Sequence, residues 1–295
     1  MPARSVTVRV PATSANLGSG FDSLGVALDW TALIHVTVHD GPVPRPVGPI
    51  EAMAVSAAVA LYRRAGAQPP SGISASYEGE IPVGRGLGVS AAARVAGVMA
   101  ANALMAGGYD AETLLGLVAQ LEGHADNAAP ALLGGLQIVV AHDDGLAHLA
   151  LEPPGDLRLA LLIPDFSMPT EESRQRLPEW LTRNQSVHNI GRAALLVAAI
   201  RERRYDLLNI ATEDVLHQPA RAQIFPPMYA IFQAARGAGA HGVYLSGGGS
   251  TIAAFGTTGL EQIAGAMREA AAVQGFGAQT RVCALSARGA ELVAG

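Results

Sequence analysis

The chain centres on the segment Pro82–Ala93, which reads PVGRGLGVSAAA. Three glycines at alternate positions lead to Ser90, and an alanine-rich run continues to about residue 106. Glycine allows a positive φ and a close approach of a ligand to the backbone, and the run after it predicts a helix. The free N–H groups at such a helix N-terminus bind anions, most often phosphate. The alternative is a turn whose glycines only let the helix pack on a sheet.

Length and composition limit the class of protein. The 295 residues, 49% hydrophobic with a mean hydropathy of +0.26, suit one large or two ordinary domains. The sequence has no apolar run near the roughly 18–20 residues needed to cross a bilayer, and no apolar signal region at its start. Cys283 is the single cysteine, which excludes a disulfide within the chain, and the net charge is −5. We therefore expect a cytoplasmic protein without nucleic-acid or membrane partners.

All 20 basic residues are arginine, so the chain contains no lysine. Walker A loops and protein kinases need a lysine on the phosphates, and Schiff-base and pyridoxal-phosphate chemistry need a lysine amine. These four classes are excluded. If the chain binds a nucleotide, backbone amides, arginine and Mg²⁺ must neutralise its charge.

Strand and helix patterns alternate without a regular βα repeat, which favours an α+β fold over a doubly wound sheet. Val6, Val8 and Val10 indicate a half-buried strand. The character of the sequence changes near residues 152–155, which indicates an approximate domain boundary there. We expect domains at 1–153 and 154–295.

Two further segments carry clustered polar groups. Pro11–Asp22 (PATSANLGSGFD) is predicted to be a loop, and Asn16, Ser19 and Asp22 either bind a ligand or line an ordinary connection. The segment EGHADNAAP, residues 122–130, places four acid–base-capable groups between apolar stretches, which is costly unless they are paired or used. The alternatives are a structural histidine bonded to a carbonyl and a helix-capping Asp–Asn pair.

The C-terminal half offers cationic candidates and a second glycine loop. Arg192 and Arg221 stand beside apolar residues, so each needs an acid within the chain or an anionic substrate. The charged segment Pro169–Pro178 is predicted to be a solvated helix or a mobile lid. Gly247–Gly249 lie between two predicted strands and indicate a second close approach of the backbone, or a flexible turn.

Other interpretations of the first glycine loop fail on context. Gly86–Ala91 fits the dinucleotide fingerprint, but Pro82 interrupts the preceding strand and Asp110, at the distance of the expected acid, opens a helix. The Gly-x-Ser-x-Gly pattern of serine hydrolases is absent around Ser90. His124 and Asp126 alone are a weak metal-hydrolase set. Nucleotide binding without lysine is the interpretation that survives.

Four segments resemble, in order and spacing, the motifs of the GHMP small-molecule kinases, and the first and third resemble those of homoserine kinases. They are PATSANLGSGFD, PVGRGLGVSAAA, EGHADNAAPA and LSGGGST, at residues 11–22, 82–93, 122–131 and 245–251. The resemblance implies an α+β fold of two domains: an N-terminal domain like ribosomal protein S5 domain 2, and a ferredoxin-like C-terminal domain that contributes the substrate-binding arginines. It also implies ATP-dependent phosphorylation of the L-homoserine hydroxyl, on the path to threonine, by a homodimer.

The same resemblance assigns roles to residues. Ser90 and Glu122 would hold Mg²⁺. Asn16, Asp22, His124, Arg192 and Arg221 would bind homoserine, the arginines at its carboxylate and Asp22 at its ammonium. Asn127 would orient the reacting hydroxyl in place of the aspartate base of other superfamily members, with Asp126 and His124 as further catalytic candidates. The residues expected at ATP are Pro82, Gly84, Arg85, Gly86, Leu87, Gly88, Ser90, Ala91, Ala92 and Gly248.

Two departures from the family pattern stand out. Val89 replaces the first serine of Gly-Leu-Gly-Ser-Ser, and Gly248 and Ser250 replace the alanine and proline of the last motif. They keep two alternatives open: a kinase for another small amino-alcohol or sugar alcohol, and a nucleotide-binding regulator without turnover.

Overall fold

The computed structural model describes residues 4–44, 48–143, 145–168 and 170–293. Its strands are β1 (Arg4–Ala15), β2 (Leu24–His39), β3 (Gly72–Glu78), β4 (Leu136–His142), β5 (Gly145–Leu151), β6 (Arg158–Pro164), β7 (Gly242–Leu245), β8 (Ile252–Gly256), β9 (Ala278–Ala284) and β10 (Glu291–Val293). Its helices are α1 (Pro49–Arg64), α2 (Val89–Leu104), α3 (Ala111–Glu122), α4 (Ala128–Leu133), α5 (Thr170–Gln175), α6 (Arg183–Arg201), α7 (Leu208–Ala211), α8 (Gln218–Ala222), α9 (Met228–Gly237) and α10 (Leu260–Val273).

Two antiparallel sheets organise these elements. The first has the order β10-β1-β2-β4-β5, with β3 also paired to β2, and the second has the order β7-β8-β6-β9. Antiparallel sheets with helices at their faces are the α+β class, so the predicted class is confirmed. None of the helices in the described ranges has the length and apolar character needed to span a membrane.

Helix α2 lies at the centre of the first half. Eleven of its 16 residues are buried, which is typical of a helix packed on all sides. Its alanines let α1, α3 and β1 approach closely, and these elements share one hydrophobic core with α2. The N-terminus of α2 is therefore held rigidly at one end of the first sheet.

The strand β6 joins the two halves of the molecule. Leu159, Leu161 and Ile163 belong to the core that also contains α2, whereas Ala160 and Leu162 pack in a second core with α9 and α10. Alternate residues of a strand face opposite sides, so β6 contributes to both cores.

The C-terminus crosses back to the first sheet, because β10 pairs with β1. The division at residue 153 therefore stays a prediction. The strand β1 continues through Ala15, so the prediction of a loop over Pro11–Asp22 was wrong for its first five residues. Pro11 pairs with β2 before a register shift, and Thr13–Ala15 pair with it after that shift. Thr170–Gln175 form α5, within the segment predicted as a helix or lid; Pro169 lies outside the described residues.

Candidate active site

A cleft of about 900 Å³, its mouth included, lies where the two glycine loops, the β1–β2 turn and the end of α3 meet. Ligand sites are usually single concave pockets of this size with a few convergent polar groups. Its polar and charged lining residues are Asn16, Asp22, Ser90, Glu122, His124, Asp126, Asn127, Arg174 and Arg221. Both glycine loops and several apolar residues, among them Ile50 and Met53 of α1, form the rest of the lining.

Backbone contacts fix the first glycine loop against its surroundings. Gly88 precedes α2 as its N-cap with φ +67°, and no side chain caps the helix. The first-turn N–H groups of α2 thus remain available for an anion at the cleft. The Thr13 N–H donates to the Leu87 carbonyl at 3.1 Å, which ties the loop to β1.

The second glycine loop lies directly against the first. The Ser246 hydroxyl donates to the Gly86 carbonyl at 2.7 Å, and the Thr251 N–H donates to the Arg85 carbonyl at 3.0 Å. The two glycine-rich segments, 160 residues apart in sequence, thus form one backbone-lined wall.

Ser90 and Glu122 form a hydroxyl–carboxylate pair beside that wall. The Ser90 hydroxyl donates to Oε2 of Glu122 at 3.0 Å, and Arg94 forms an ion pair with Oε1. Mg²⁺ prefers hard oxygen ligands and commonly uses one or two protein oxygens together with phosphates and water. The chemistry of this donor pair therefore fits the expected Mg²⁺ ion.

A second group of possible cation ligands lies in the same cleft. Asp22, His124 and Asp126 each offer a ligand atom, and these atoms lie within 4.8 Å of one another. A histidine nitrogen suits a transition metal better than Mg²⁺, and Asp22 is already paired with Arg174. This cluster therefore fits Mg²⁺ less well than the Ser90–Glu122 pair does.

The hydrogen bonds of the segment 124–127 determine which groups face a ligand. The His124 ring bonds through Nδ1 to Oδ1 of Asp126 at 2.6 Å, and the Asn127 N–H donates to the same oxygen at 2.9 Å. Thr13 donates its hydroxyl to Oδ1 of Asn127 at 2.7 Å. Asn127 therefore presents its amide as a donor and caps no helix with its side chain.

The pKa of His124 reflects two opposing effects. Burial alone lowers it, but the hydrogen bond to Asp126 and that residue's charge outweigh burial and raise the pKa above its usual 6.5. The contact with Asp126 thereby favours the imidazolium form of His124.

The β1–β2 turn holds two cleft residues in left-handed conformations. Asn16 has φ +69° and Asp22 has φ +53°; these are residue types that tolerate αL geometry. Asn16 donates its amide to the Gly247 carbonyl at 2.9 Å and accepts the Asp22 N–H at 3.0 Å. The amide of Asn16 thus fixes the turn against the second glycine loop.

Arg174 of α5 is a cleft residue that the sequence did not indicate. Its guanidinium forms two parallel hydrogen bonds with the Asp22 carboxylate, at 2.7 and 2.9 Å. The hydrogen bond to Asp22 raises the pKa of Arg174 above its usual value. The one sequence signal for Arg174 is its position within the charged segment 170–176. The contact of that segment with Asp22 arises from the tertiary fold.

Arg221 is 1% exposed and its donors are directed by three partners. Its Nε donates to the Ser173 hydroxyl at 2.8 Å, and its NH1 donates to the Gly247 carbonyl at 2.9 Å and to His217 Nδ1 at 2.7 Å. Burial, and then the charge of Arg174, lower the pKa of Arg221 to about 10, so it remains a cation at neutral pH. No acid pairs directly with Arg221 among the residues that the structure describes.

Arg221 also fixes the tautomer of His217. Because arginine only donates, Nδ1 of His217 accepts, and Nε2 carries the proton and donates to the Gly18 carbonyl at 2.7 Å. The Phe21 ring stacks on His217, with centroids 5.3 Å apart, and lies beneath the guanidinium groups of Arg174 and Arg221 at 5.4 and 5.5 Å. One aromatic ring thus supports both arginines.

The burial of His217 predicts a loss of stability in acid. Burial lowers its pKa from 6.5 to about 4, so as the pH falls across this interval the unfolded chain binds a proton and the folded chain does not. We expect His217 alone to remove roughly 3 kcal/mol of unfolding free energy by pH 4. Urea unfolding of wild type and His217→Gln at several pH values measures it, with His39→Gln as the control. Parallel pH curves for wild type and His217→Gln would contradict the assignment.

Some residues predicted from sequence lie outside this cleft. Arg192 pairs with Glu213, with its Nε and NH2 at 2.9 and 2.6 Å from one carboxylate oxygen. Arg85 donates to the Asp165 carbonyl at 2.6 Å, while Pro82, Ala91 and Ala92 do not contribute to the lining either. Their roles stay predictions. Ser19 also lies outside the lining and donates its hydroxyl to the Ala211 carbonyl at 2.8 Å. The other residues named for substrate, ATP, metal or catalysis all line the cleft.

Comparisons with known proteins identify the family. The family model "GHMP kinases N terminal domain" matches residues 52–135, and "GHMP kinases C terminal" matches residues 196–273. Homoserine kinase of Deinococcus radiodurans is 42% identical over 263 residues, covering 86% of this chain and 85% of that protein. Homoserine kinase of Carboxydothermus hydrogenoformans is 39% identical, covering 85% and 84%.

Solved structures give the same result over nearly the whole chain. The crystal structure of homoserine kinase from Cytophaga hutchinsonii superposes with a TM-score of 0.87 at 28% identity, covering 98% of this chain and 97% of that one. A galactokinase from Lactococcus lactis shares only the fold, at 12% identity and a TM-score of 0.74. The chain belongs to the homoserine kinase family of the GHMP kinases.

Proposed function

We propose that this chain transfers the γ-phosphoryl group of ATP to the side-chain hydroxyl of L-homoserine. The products are O-phospho-L-homoserine and ADP. The observation that carries the proposal is the pairing of two different receptors in one cleft: a phosphate-binding wall of backbone amides, and a cluster of two arginines with one aspartate. The family to which the chain belongs supports the same reaction.

The nucleotide end uses the backbone in place of lysine. The N-terminus of α2 and the two glycine loops direct N–H groups at the phosphates, and phosphoryl transfer depends mainly on positioning and charge neutralisation of this kind. Ser90 and Glu122 would hold Mg²⁺, which would help to neutralise the phosphate charge when bound. Val89 places a methyl-bearing side chain where the family has a hydroxyl, and neighbouring amides remain to bind the oxygens.

The acceptor end is complementary to an amino-acid zwitterion. Arg221, and with it Arg174, receive the carboxylate in the bidentate manner that arginine favours. Asp22 receives the ammonium with His124 and Asn16 beside it. The bidentate Arg174–Asp22 pair, with distances of 2.7 and 2.9 Å, supports this assignment. It places one positive and one negative protein group side by side, as the carboxylate and the ammonium of a single amino acid require.

The reacting hydroxyl lies at Asn127. Its side-chain oxygen is taken by Thr13, so its amide donates to the hydroxyl oxygen and orients a lone pair towards the γ-phosphorus. A new O–P bond forms as the bond from phosphorus to the β–γ bridging oxygen breaks. The hydroxyl proton passes to the transferred phosphate, to water or to Asp126, whose hydrogen bonds among the described residues all reach Oδ1 and leave Oδ2 to the cleft.

The decisive experiment measures ADP release with Mg²⁺-ATP and a set of alcohols. We expect turnover with L-homoserine, and far less with L-serine, L-threonine, mevalonate, galactose, 3-aminopropan-1-ol, which lacks the carboxylate, and 2,4-dihydroxybutanoate, which lacks the ammonium. Turnover centred on mevalonate or galactose would contradict the proposed acceptor while leaving the fold intact. ATP binding without turnover of any alcohol would contradict catalysis itself.

The variant Asp22→Asn tests the ammonium site. We expect kcat/KM for homoserine to fall by roughly a hundredfold, because a charged, half-buried contact to the substrate is lost. The ratio of homoserine turnover to 2,4-dihydroxybutanoate turnover should fall too. The charge of Asp22, which repels the anion 2,4-dihydroxybutanoate, is absent from the variant. Asp206→Asn, an exposed acid paired with Arg204, is the matched control. An unchanged ratio would contradict the role of Asp22.

Two expectations about context also remain proposals. A cytoplasmic location is supported by the single cysteine, which is buried and unpaired. A homodimer rests on the family resemblance alone, and size-exclusion chromatography with light scattering measures it directly.

A further inference from the structure

Arg94 contacts the expected metal ligand Glu122 without lining the cleft itself. It follows Ser90 by one helical turn in α2, so both side chains lie on the same face of the helix. Ser90 donates to Oε2 of Glu122 at 3.0 Å, and Arg94 forms its ion pair with Oε1. Arg94 is not part of the cleft lining, whereas Ser90 and Glu122 are.

The surroundings of Glu122 make this ion pair electrostatically strong. The Glu122 side chain is 5% exposed and that of Arg94 is 22% exposed, so solvent screens their attraction weakly. Glu122 is also the last residue of α3, where the helix dipole disfavours a carboxylate. Arg94 compensates both effects and leaves Glu122 with little net charge towards the cleft.

We propose that Arg94 is a positioning residue that prevents the Ser90–Glu122 pair from holding a divalent cation without nucleotide. With Oε1 engaged, only Oε2 and the serine hydroxyl face the cleft, and the guanidinium charge repels a lone cation. The Ser90–Glu122 pair lacks the net negative charge needed to hold a cation alone. The nucleotide phosphates supply that charge, so metal and nucleotide bind together. This inference rests on the proposed function, because it takes Ser90 and Glu122 as the metal ligands.

A purely structural role for Arg94 is the competing explanation. Its guanidinium also lies 3.7 Å from the Met53 sulfur of α1, so it connects α1, α2 and α3. Loss of that connection would lower the melting temperature but would give free metal no greater affinity. Metal affinity therefore separates the two explanations, whereas activity does not.

The experiment measures Mn²⁺ binding by electron paramagnetic resonance, with Mn²⁺ as the paramagnetic substitute for Mg²⁺. Full-length wild type, Arg94→Gln, Arg94→Lys and Arg64→Gln are titrated without nucleotide and with the non-hydrolysable analogue AMP-PNP. Arg94→Gln keeps a hydrogen-bond donor and removes the charge, Arg94→Lys keeps the charge, and Arg64→Gln removes an exposed charge at the end of α1.

We expect free Mn²⁺ to bind Arg94→Gln at least about tenfold more tightly than wild type, since one nearby positive charge is gone. Arg94→Lys and Arg64→Gln should bind it as weakly as wild type, and Glu122→Gln placed in Arg94→Gln should abolish the gain. Equal affinities of wild type and Arg94→Gln would overturn the inference. Tight binding of free Mn²⁺ by wild type, if it is lost in Glu122→Gln, would also overturn the inference. This second test does not require that any Arg94 variant folds. Absence of Mn²⁺ from the wild-type AMP-PNP complex would instead reject the proposed metal ligands.

Discussion

Replacement of Arg221 by methionine is expected to lower kcat/KM for homoserine by roughly a hundred- to a thousandfold, since truncating a buried charge partner costs about 2–5 kcal/mol. Arg221 is 1% exposed, and among the described residues its direct partners are neutral: Ser173, His217 and the Gly247 carbonyl. A buried cation without an acid beside it is suited to an anionic ligand. Methionine fills a similar volume, so the loss should appear mainly as a raised KM for homoserine.

Two measurements separate this effect from misfolding. The affinity for AMP-PNP should change far less than the KM for homoserine, because the guanidinium gives the second glycine loop one hydrogen bond, at Gly247, and its other hydrogen bonds go to Ser173 and His217. Arg201→Gln, an exposed arginine at the end of α6, should behave as wild type. A homoserine KM for Arg221→Met within a few-fold of wild type, in a folded protein that binds AMP-PNP, would remove Arg221 from the carboxylate site.

The nucleotide end of the site could be predicted from sequence because its information is local. Glycines at alternate positions before an alanine-rich run dictate positive φ values and a helix start, and Gly84, Gly86 and Gly88 have φ between +67° and +75°. The helix caps are equally local: Asp110 accepts the Thr113 N–H at 2.8 Å, as its place before α3 predicts. No distant contact is needed to infer either feature.

The acceptor end could be predicted only in part, since its residues meet through tertiary packing. Arg192 and Arg221 look alike in sequence, each an arginine beside apolar residues. Only the fold shows that Arg192 has Glu213 as a partner and that Arg221 lines the cleft. Arg174 pairs with a residue 152 positions earlier, and nothing in its own segment indicates that contact.

Two strands escaped prediction, each for its own reason. The strand β5 alternates exposed and half-buried residues at the edge of the first sheet, so its apolar signal is weak. The strand β10 has three residues and exists because it pairs with β1 at the opposite end of the sequence. Pairing with a distant partner, rather than local preference, creates β10, whereas β5 pairs with the strand that directly precedes it, β4.

Replacement of Gly86 by alanine is expected to lower ADP release by about a hundredfold or more, because displacement of a reacting group by roughly 1 Å can have that effect. A Cβ at Gly86 would lie 2.1 Å from the Ser246 carbonyl oxygen and 3.0 Å from the Gly249 nitrogen, both backbone atoms. Neither can rotate away as a side chain does. The two glycine loops would have to separate, and the phosphate-binding wall would lose its second half.

Gly84→Ala provides the matched control, because Gly84 has nearly the same conformation, φ +70° against +75°, but space around it. The nearest atom to a Cβ there is the Ser167 Cβ at 3.5 Å, which is an ordinary contact. Both variants carry the left-handed strain of roughly 1–2 kcal/mol, so the difference between them isolates the contact between the loops. AMP-PNP affinity and melting temperature should fall much further in Gly86→Ala than in Gly84→Ala. Equal losses of AMP-PNP affinity in the two variants would mean that backbone strain alone matters and that the wall is not a single unit. A selective loss in Gly86→Ala would mean that nucleotide binding depends on the contact between Ser246 and Gly86.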